Sequence, residues 1–221
     1  MTIRVGLYGQ RVSKPTLGKL AAAIADGIRT DDKFVLSLLE TDDEPTELDA
    51  IVYAKRNDDR LVEALTLADQ LNATVYLLST SMEESLAAIP HKISVHMLPN
   101  TSREVLEYID NVIAFNQAHP SWSIDITEYH QQSKSDVSGT ALSIAAQIGV
   151  ESDAIRSVRN DAQATQLFDI APAHLSGYAV HQITFTNPDT HTQRLFQIVV
   201  TGHQTYVNGL KQIILDQQLF S

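Results

Sequence analysis

The chain has 221 residues, 43% of them hydrophobic, enough for a sizeable core in one large domain or two small ones, and two is the expectation. With 27 acidic against 16 basic residues the formal net charge is −11, which argues against nonspecific binding to nucleic acid or an anionic membrane. A small anionic ligand remains open, because a local lysine and a helix N terminus override the global field at short range. There is no cysteine, so disulfides, thiolate catalysis and cysteine-ligated metals are excluded.

The opening TIRVGLYG reads as a buried strand running into a glycine turn, and LGKLAAAIADGI has helical spacing. The start lacks an apolar signal-peptide core, and nowhere do about 18 apolar residues run together, so a soluble cytoplasmic protein is expected. KFVLSLLE reads as the next strand, TDDEPTE as an acidic loop, AIVYA as a third strand, DRLVEALTLADQLN as a helix and TVYLLST as a fourth strand. Strands alternating with helices imply a parallel sheet covered on both faces.

Gly6, Gly9 and Gly18 follow the first strand, with QRVSKPTL between the last two. That spacing is too wide for the compact dinucleotide fingerprint, and an ordinary strand-to-helix loop accounts for isolated glycines equally well. Glu40, ending the second strand, stands where an acidic residue hydrogen-bonds an adenosine ribose and disfavours a 2′-phosphate, which points to NADH over NADPH. The alternative is a solvated carboxylate at a strand end.

ISVHML reads as a fifth strand, followed by a helix from about Arg103 to Asn116 and a strand SIDITEYH. His119 reads as a surface loop residue and Trp122 as a packing residue at the domain start. The alternating stretches AVHQITFTN and RLFQIVVTG, joined by PDTHTQ, read as an antiparallel hairpin whose apolar face needs a cover. No histidine pair on a helix suggests a metal, and no G-x-S-x-G elbow suggests a serine hydrolase.

The densest run of chemical groups is EYHQQSKSDVSGTA, Glu128 to Ala141, which leads into the apolar LSIAAQIG. His130 and Lys134 carry protons, and Ser138, Gly139 and Thr140 open a helix whose free N–H groups and dipole suit a carboxylate or phosphate. An ordinary capped helix has the same pattern.

The whole segment resembles the E-x-H-H-x-x-K-x-D-x-P-S-G-T-A signature of the 4-hydroxy-tetrahydrodipicolinate reductases, with Gln131 in place of the second histidine and one residue deleted near the proline. TYVNGL resembles the family's T-F-A-N-G-A, and His181 aligns with the histidine of its G-E-H strand, although a lone histidine there reads first as a satisfied strand residue. The resemblance implies a Rossmann-like α/β nucleotide domain, 1–102 with 205–221, and a substrate domain, 103–204, with a mainly antiparallel sheet that builds a homotetramer. It implies NADH or NADPH as cofactor and a small dicarboxylate substrate, reduced in lysine and diaminopimelate biosynthesis. His130 and Lys134 would be catalytic; Lys134, Ser138, Gly139 and Thr140 would hold the substrate. The cofactor would meet Gly6, Gly9, Leu17, Gly18, Glu40, Thr80 and Asn100.

The pattern is also broken. About seven residues, with Arg11, Lys14 and Pro15 among them, are inserted in the phosphate loop, as a cationic lip or as a disruption; YAK and LSTS replace two nicotinamide-side motifs; and SVRNDAQATQLFD lacks a glycine-rich stretch. A noncatalytic relative that binds a small dicarboxylate or a nucleotide is the competing expectation.

Overall fold

The computed structural model describes residues 2–11, 14–40, 45–55, 60–79, 82–130, 137–169 and 178–220. They fall into two compact units, Met1–Ser102 with His203–Ser221, and Arg103–Gly202. The first runs β1 (Ile3–Tyr8), β2 (Gln10–Arg11), β3 (Lys14–Leu17), α1 (Lys19–Arg29), β4 (Phe34–Leu38), β5 (Ala50–Tyr53), α2 (Arg60–Leu71), β6 (Thr74–Leu77), α3 (Glu83–Ala87) and β7 (Val95–Met97). The second runs α4 (Arg103–Ala118), β8 (Ser123–His130), α5 (Gly139–Ile148), β9 (Arg156–Val158), α6 (Asp161–Phe168), β10 (Tyr178–Thr186) and β11 (Gln193–Thr201), after which α7 (Gln204–Phe220) returns to the first unit.

The sheet of the first unit is parallel in the order β4-β1-β5-β6-β7. Its strands read as nearly continuous apolar runs because both faces are covered. Ile3, Val5, Leu7, Ala50, Val52 and Tyr76 point to α1 and α7, whereas Tyr8, Ile51, Tyr53, Val75 and Leu77 point to α2. The chain leaves β1 for β4 on one side and then crosses to β5 on the other. The carboxyl ends of β1 and its neighbours therefore frame a switch point, where open α/β sheets bind ligands.

The second sheet has the order β11-β10-β8-β9, antiparallel except where β9 joins β8 in parallel. That parallel pair needs a crossover, and α5 provides it. Phe115 of α4 packs against Phe185 and Phe196 on one face and edge-on against Trp122 at 5.4 Å, with His119 beside it at 4.4 Å. On the other face Tyr129, Val158 and Val180 pack with Ala164 and Phe168 of α6. Among the described residues, no helix is long and apolar enough to cross a membrane, and no group of three or more His, Asp or Glu could hold a metal ion.

Candidate active site

His130 is the last residue of β8, and α5 begins at Gly139 with Ser138 as its N-cap. The pair is a strand-to-helix junction at the carboxyl end of a strand with a parallel neighbour. Ser138 Oγ accepts from Ala141 N at 3.0 Å, so the cap serves one of the first-turn amides, and Gly149 closes the far end in the left-handed conformation at φ 74°. Gly139 and Thr140 are half-buried in the first turn, and that turn holds no acidic residue. Ala141, Ile144, Ala145 and Ile148 anchor the helix in the core, so its N terminus is held by packing. Lys134 lies in 131–136, outside the described residues.

Two residues apart on one strand, Glu128 and His130 project to the same side of β8. Glu128 is wholly buried, and its carboxylate accepts from Ser138 N at 3.1 Å, Ser157 Oγ at 2.9 Å and Arg159 Nη2 at 2.8 Å. His130 Nε2 lies 3.8 Å from the same Oε2 that takes the Ser138 amide. One carboxylate oxygen thus meets both the histidine and the start of α5.

Burial disfavours that charge, but the donors from Ser138, Arg159 and Ser157, with His130 close by, outweigh it and draw the carboxyl down to about 2. The stabilisation it brings is present above the ordinary value of 4.5 and is lost as pH falls through about 2. His181, 3% exposed, stands opposite Glu128 on β10, and its ring meets that of His130 edge to face at 5.7 Å. Ser157, Arg159 and the role of Glu128 escape a reading of the sequence, because β9 is only three residues long and its partnership with β8 is set by the crossover.

The mouth of the first unit differs from a compact glycine loop. Gln10–Arg11 and Lys14–Leu17 form a two-stranded ribbon, closed where Gly18 N donates to Gly9 O at 3.0 Å. Gly6 does not reach this turn: it lies inside β1, and a Cβ there would come within 2.6 Å of Leu39 and 2.9 Å of Leu48, so its role is packing. Leu17 packs on the core beside Gly9, and Gly18 caps α1. Asn100 Oδ1 accepts from Ser102 N at 3.0 Å and shapes the crossover between the units' sequences. Thr80 lies outside the described residues.

This mouth suits the anionic part of a dinucleotide. The amides of Gly9 and Gln10 converge on one oxygen, at 2.8 and 2.6 Å, and α1 starts without a side-chain cap or a first-turn acid. Strand and helix close up only over a glycine, since a Cβ on Gly9 would fall 2.3 Å from the Ala21 Cβ. The oxygen those amides hold, however, belongs to Glu40, whose other oxygen takes Lys55 Nζ at 2.7 Å, with the two side chains only 6% and 8% exposed. Glu40 is therefore a buried, fully engaged carboxylate, in contrast to the open ribose acceptor expected from its position.

No family model matches the chain. Over 133 residues it is 30% identical to 4-hydroxy-tetrahydrodipicolinate reductase 1, chloroplastic, of Arabidopsis thaliana, and 28% identical to reductase 2 of the same plant. Each match takes in 56% of this chain and 38% of the relative, so the chain spans well under half the length of these reductases. Among solved structures, the dipicolinate-bound dihydrodipicolinate reductase from Paenisporosarcina sp. TG-14 superposes over 98% of this chain and 94% of its own, with a TM-score of 0.63 at 16% identity. That likeness establishes the fold.

Proposed function

Because the chain is a divergent relative of the 4-hydroxy-tetrahydrodipicolinate reductases and has their fold, we propose that it reduces a small cyclic dicarboxylate of the 4-hydroxy-tetrahydrodipicolinate class, using NADH or NADPH. The observation that carries this reading is the meeting of His130 and the Ser138 amide at one buried carboxylate oxygen. It puts a proton-carrying imidazole beside the start of an anion-receptive helix. When bound, the nicotinamide supplies the hydride for the C=N unit.

The remaining tasks fall to the chain. His130 delivers the accompanying proton, for which an imidazole near neutrality is suited. The hydroxyl of Thr140 and the first amides of α5 hold a substrate carboxylate, Ser138 keeps that turn in shape, and Lys134 adds a charged anchor. Gly18 and the first turn of α1 would hold the cofactor phosphates, beside the Gly9 and Gln10 amides that the Glu40 carboxylate occupies. Incubation of the purified chain with substrate and either cofactor is expected to oxidise the cofactor; absence of turnover with both overturns the reading.

Glu40 and Lys55 carry opposite charges at the same place, so they push cofactor choice in opposite directions. Glu40→Gln keeps the shape and drops the anion, and should raise the affinity for NADPH relative to NADH by about tenfold. Lys55→Met should lower the same ratio. Fluorescence titrations with both cofactors measure it, and a ratio unmoved by either change removes Glu40 from cofactor selection.

A second reading is favoured by the engagement of Glu40 with the Gly9 and Gln10 amides: a noncatalytic relative that binds a small dicarboxylate and no dinucleotide. Calorimetry with NADH, NADPH and pyridine-2,6-dicarboxylate separates the two, since only the enzyme binds both classes of ligand. The second unit is the proposed site of homotetramer assembly, its β11 exposing Leu195 and Val199 on the face away from α4. Light scattering that gives a monomer at micromolar concentration would contradict this assembly.

A further inference from the structure

Glu128 carries no part in the reaction as assigned above, yet it gathers three donors from two segments, Ser138 before α5 and Ser157 with Arg159 at β9. A wholly buried carboxylate is tolerated only when donors replace its water. Two of its donors, Ser157 Oγ and Arg159 Nη2, go to Oε1, at 2.9 and 2.8 Å. The Ser138 amide spans both oxygens, 3.3 Å from Oε1 and 3.1 Å from Oε2, and Oε2 faces His130 Nε2 at 3.8 Å. The division is informative. A structural pin between β8 and β9 needs an acceptor for Ser157 and Arg159, which the single oxygen of a neutral amide also offers, whereas a full charge beside an imidazole favours its protonated form.

The charged and titratable groups around His130 can be named by element. On β8 there is Glu128; on the neighbouring β10, His181, edge to face with the His130 ring at 5.7 Å; just beyond β9, Arg159, bound to the far oxygen of Glu128 and to Val158 O at 3.0 Å. Asp161 of α6 is held by the hydroxyl of Tyr129, whose side chain leaves β8 on the opposite face. The first turn of α5 has no acid, and Lys134 and Asp136 belong to the segment outside the described residues.

We propose that Glu128 is the charge-setting and positioning residue of this site: its Oε2 keeps His130 as the imidazolium and fixes the first amide before α5, while Arg159 limits the strength of that field from Oε1. The inference rests on the reading of His130 as proton donor. In the cycle, the imidazolium gives an N–H proton to the substrate, becomes neutral beside an anion that does not change its own state, and regains the proton from solvent. Glu128 touches no substrate. It acts through His130 and through Ser138.

The test follows His130 by NMR across a pH series in the full chain with labelled histidines, its resonance assigned by loss in His130→Gln. Glu128→Gln should lower the His130 midpoint by about one unit or more, and Arg159→Gln should raise it, because the second change leaves the anion uncompensated. Ser157→Ala, which removes a donor to Oε1 without changing any charge, should follow Arg159→Gln on a smaller scale, and it serves with Arg159→Gln if Glu128→Gln does not fold. A purely structural pin would not move the midpoint in opposite directions. Unchanged midpoints, or shifts of one sign in Glu128→Gln and Arg159→Gln alike, overturn the proposal. If the midpoints move as stated while neither NADH nor NADPH is consumed, the reductase reading fails and the electrostatic assignment stands.

Discussion

His130→Ala is expected to lower the turnover number about 10²-fold or more, with little change in apparent substrate affinity, since a general acid acts on the transition state far more than on the bound substrate. Steady-state kinetics with either cofactor reads both quantities. Lys134→Ala should behave differently and weaken binding as well as turnover, because its proposed role is a charge-assisted hydrogen bond to a substrate carboxylate, worth roughly 1.5 to 3 kcal/mol. The two losses should not add in the double variant, as groups that serve one bound substrate fail together. Near-normal turnover in a folded, cofactor-binding His130→Ala chain would move the proton source elsewhere. His181, buried against His130, would be the next group to replace.

Where local pattern and long-range packing agree, the chain was legible. The runs IRVGLY, AIVY and TVYL are apolar on both sides because both sheet faces are covered, and they announce a parallel sheet without any knowledge of their partners. AVHQITFT and QRLFQIVVT alternate, and the observed register pairs Tyr178 with Thr201 through Thr186 with Gln193, as a simple hairpin requires. Ser138 could be read as a cap because capping is local.

What escaped the sequence depends on partners far along the chain. Lys55 finds Glu40 across the end of β1, and Arg159, just past β9, finds Glu128 on the neighbouring β8, pairings that neither periodicity nor spacing encodes. The ribbon of β2 and β3 includes a proline and too few residues to alternate, so KPTL carries no strand signal. Gly6 misled for the opposite reason: glycine near a strand end suggests a turn, but here it makes room for two leucine side chains.

Gly209→Ala is expected to destabilise the chain by about 3 kcal/mol, the upper end for forcing an added methyl into a packed site. In an ordinary helix interior the same change would stabilise by about 1 kcal/mol, because alanine is the better helix former. The reversal comes from what lies against α7. A Cβ on Gly209 would sit 1.6 Å from Thr101 O and 2.7 Å from Thr101 C, both backbone atoms of the buried segment that precedes α4. That segment cannot retreat without breaking the bonds that hold it to the same helix, Thr101 Oγ1 donating to Tyr206 O at 2.7 Å and Ser102 Oγ meeting Thr205 Oγ1 at 2.8 Å. Gly27→Ala makes the instructive comparison. Its clash, at 2.4 Å, is with the Cγ1 of Val207, a side-chain atom, so the double change Gly27→Ala, Val207→Ala should recover part of the loss, whereas no side-chain truncation rescues Gly209→Ala. Gly18→Ala, whose nearest neighbour is Gly9 O at 3.8 Å, should be close to neutral. Urea unfolding, with hydrogen exchange on the amides of α1 and α7 to report on the first unit alone, measures all four; a Gly209→Ala chain as stable as the parent would contradict the close crossing of α7 over residues 100–102.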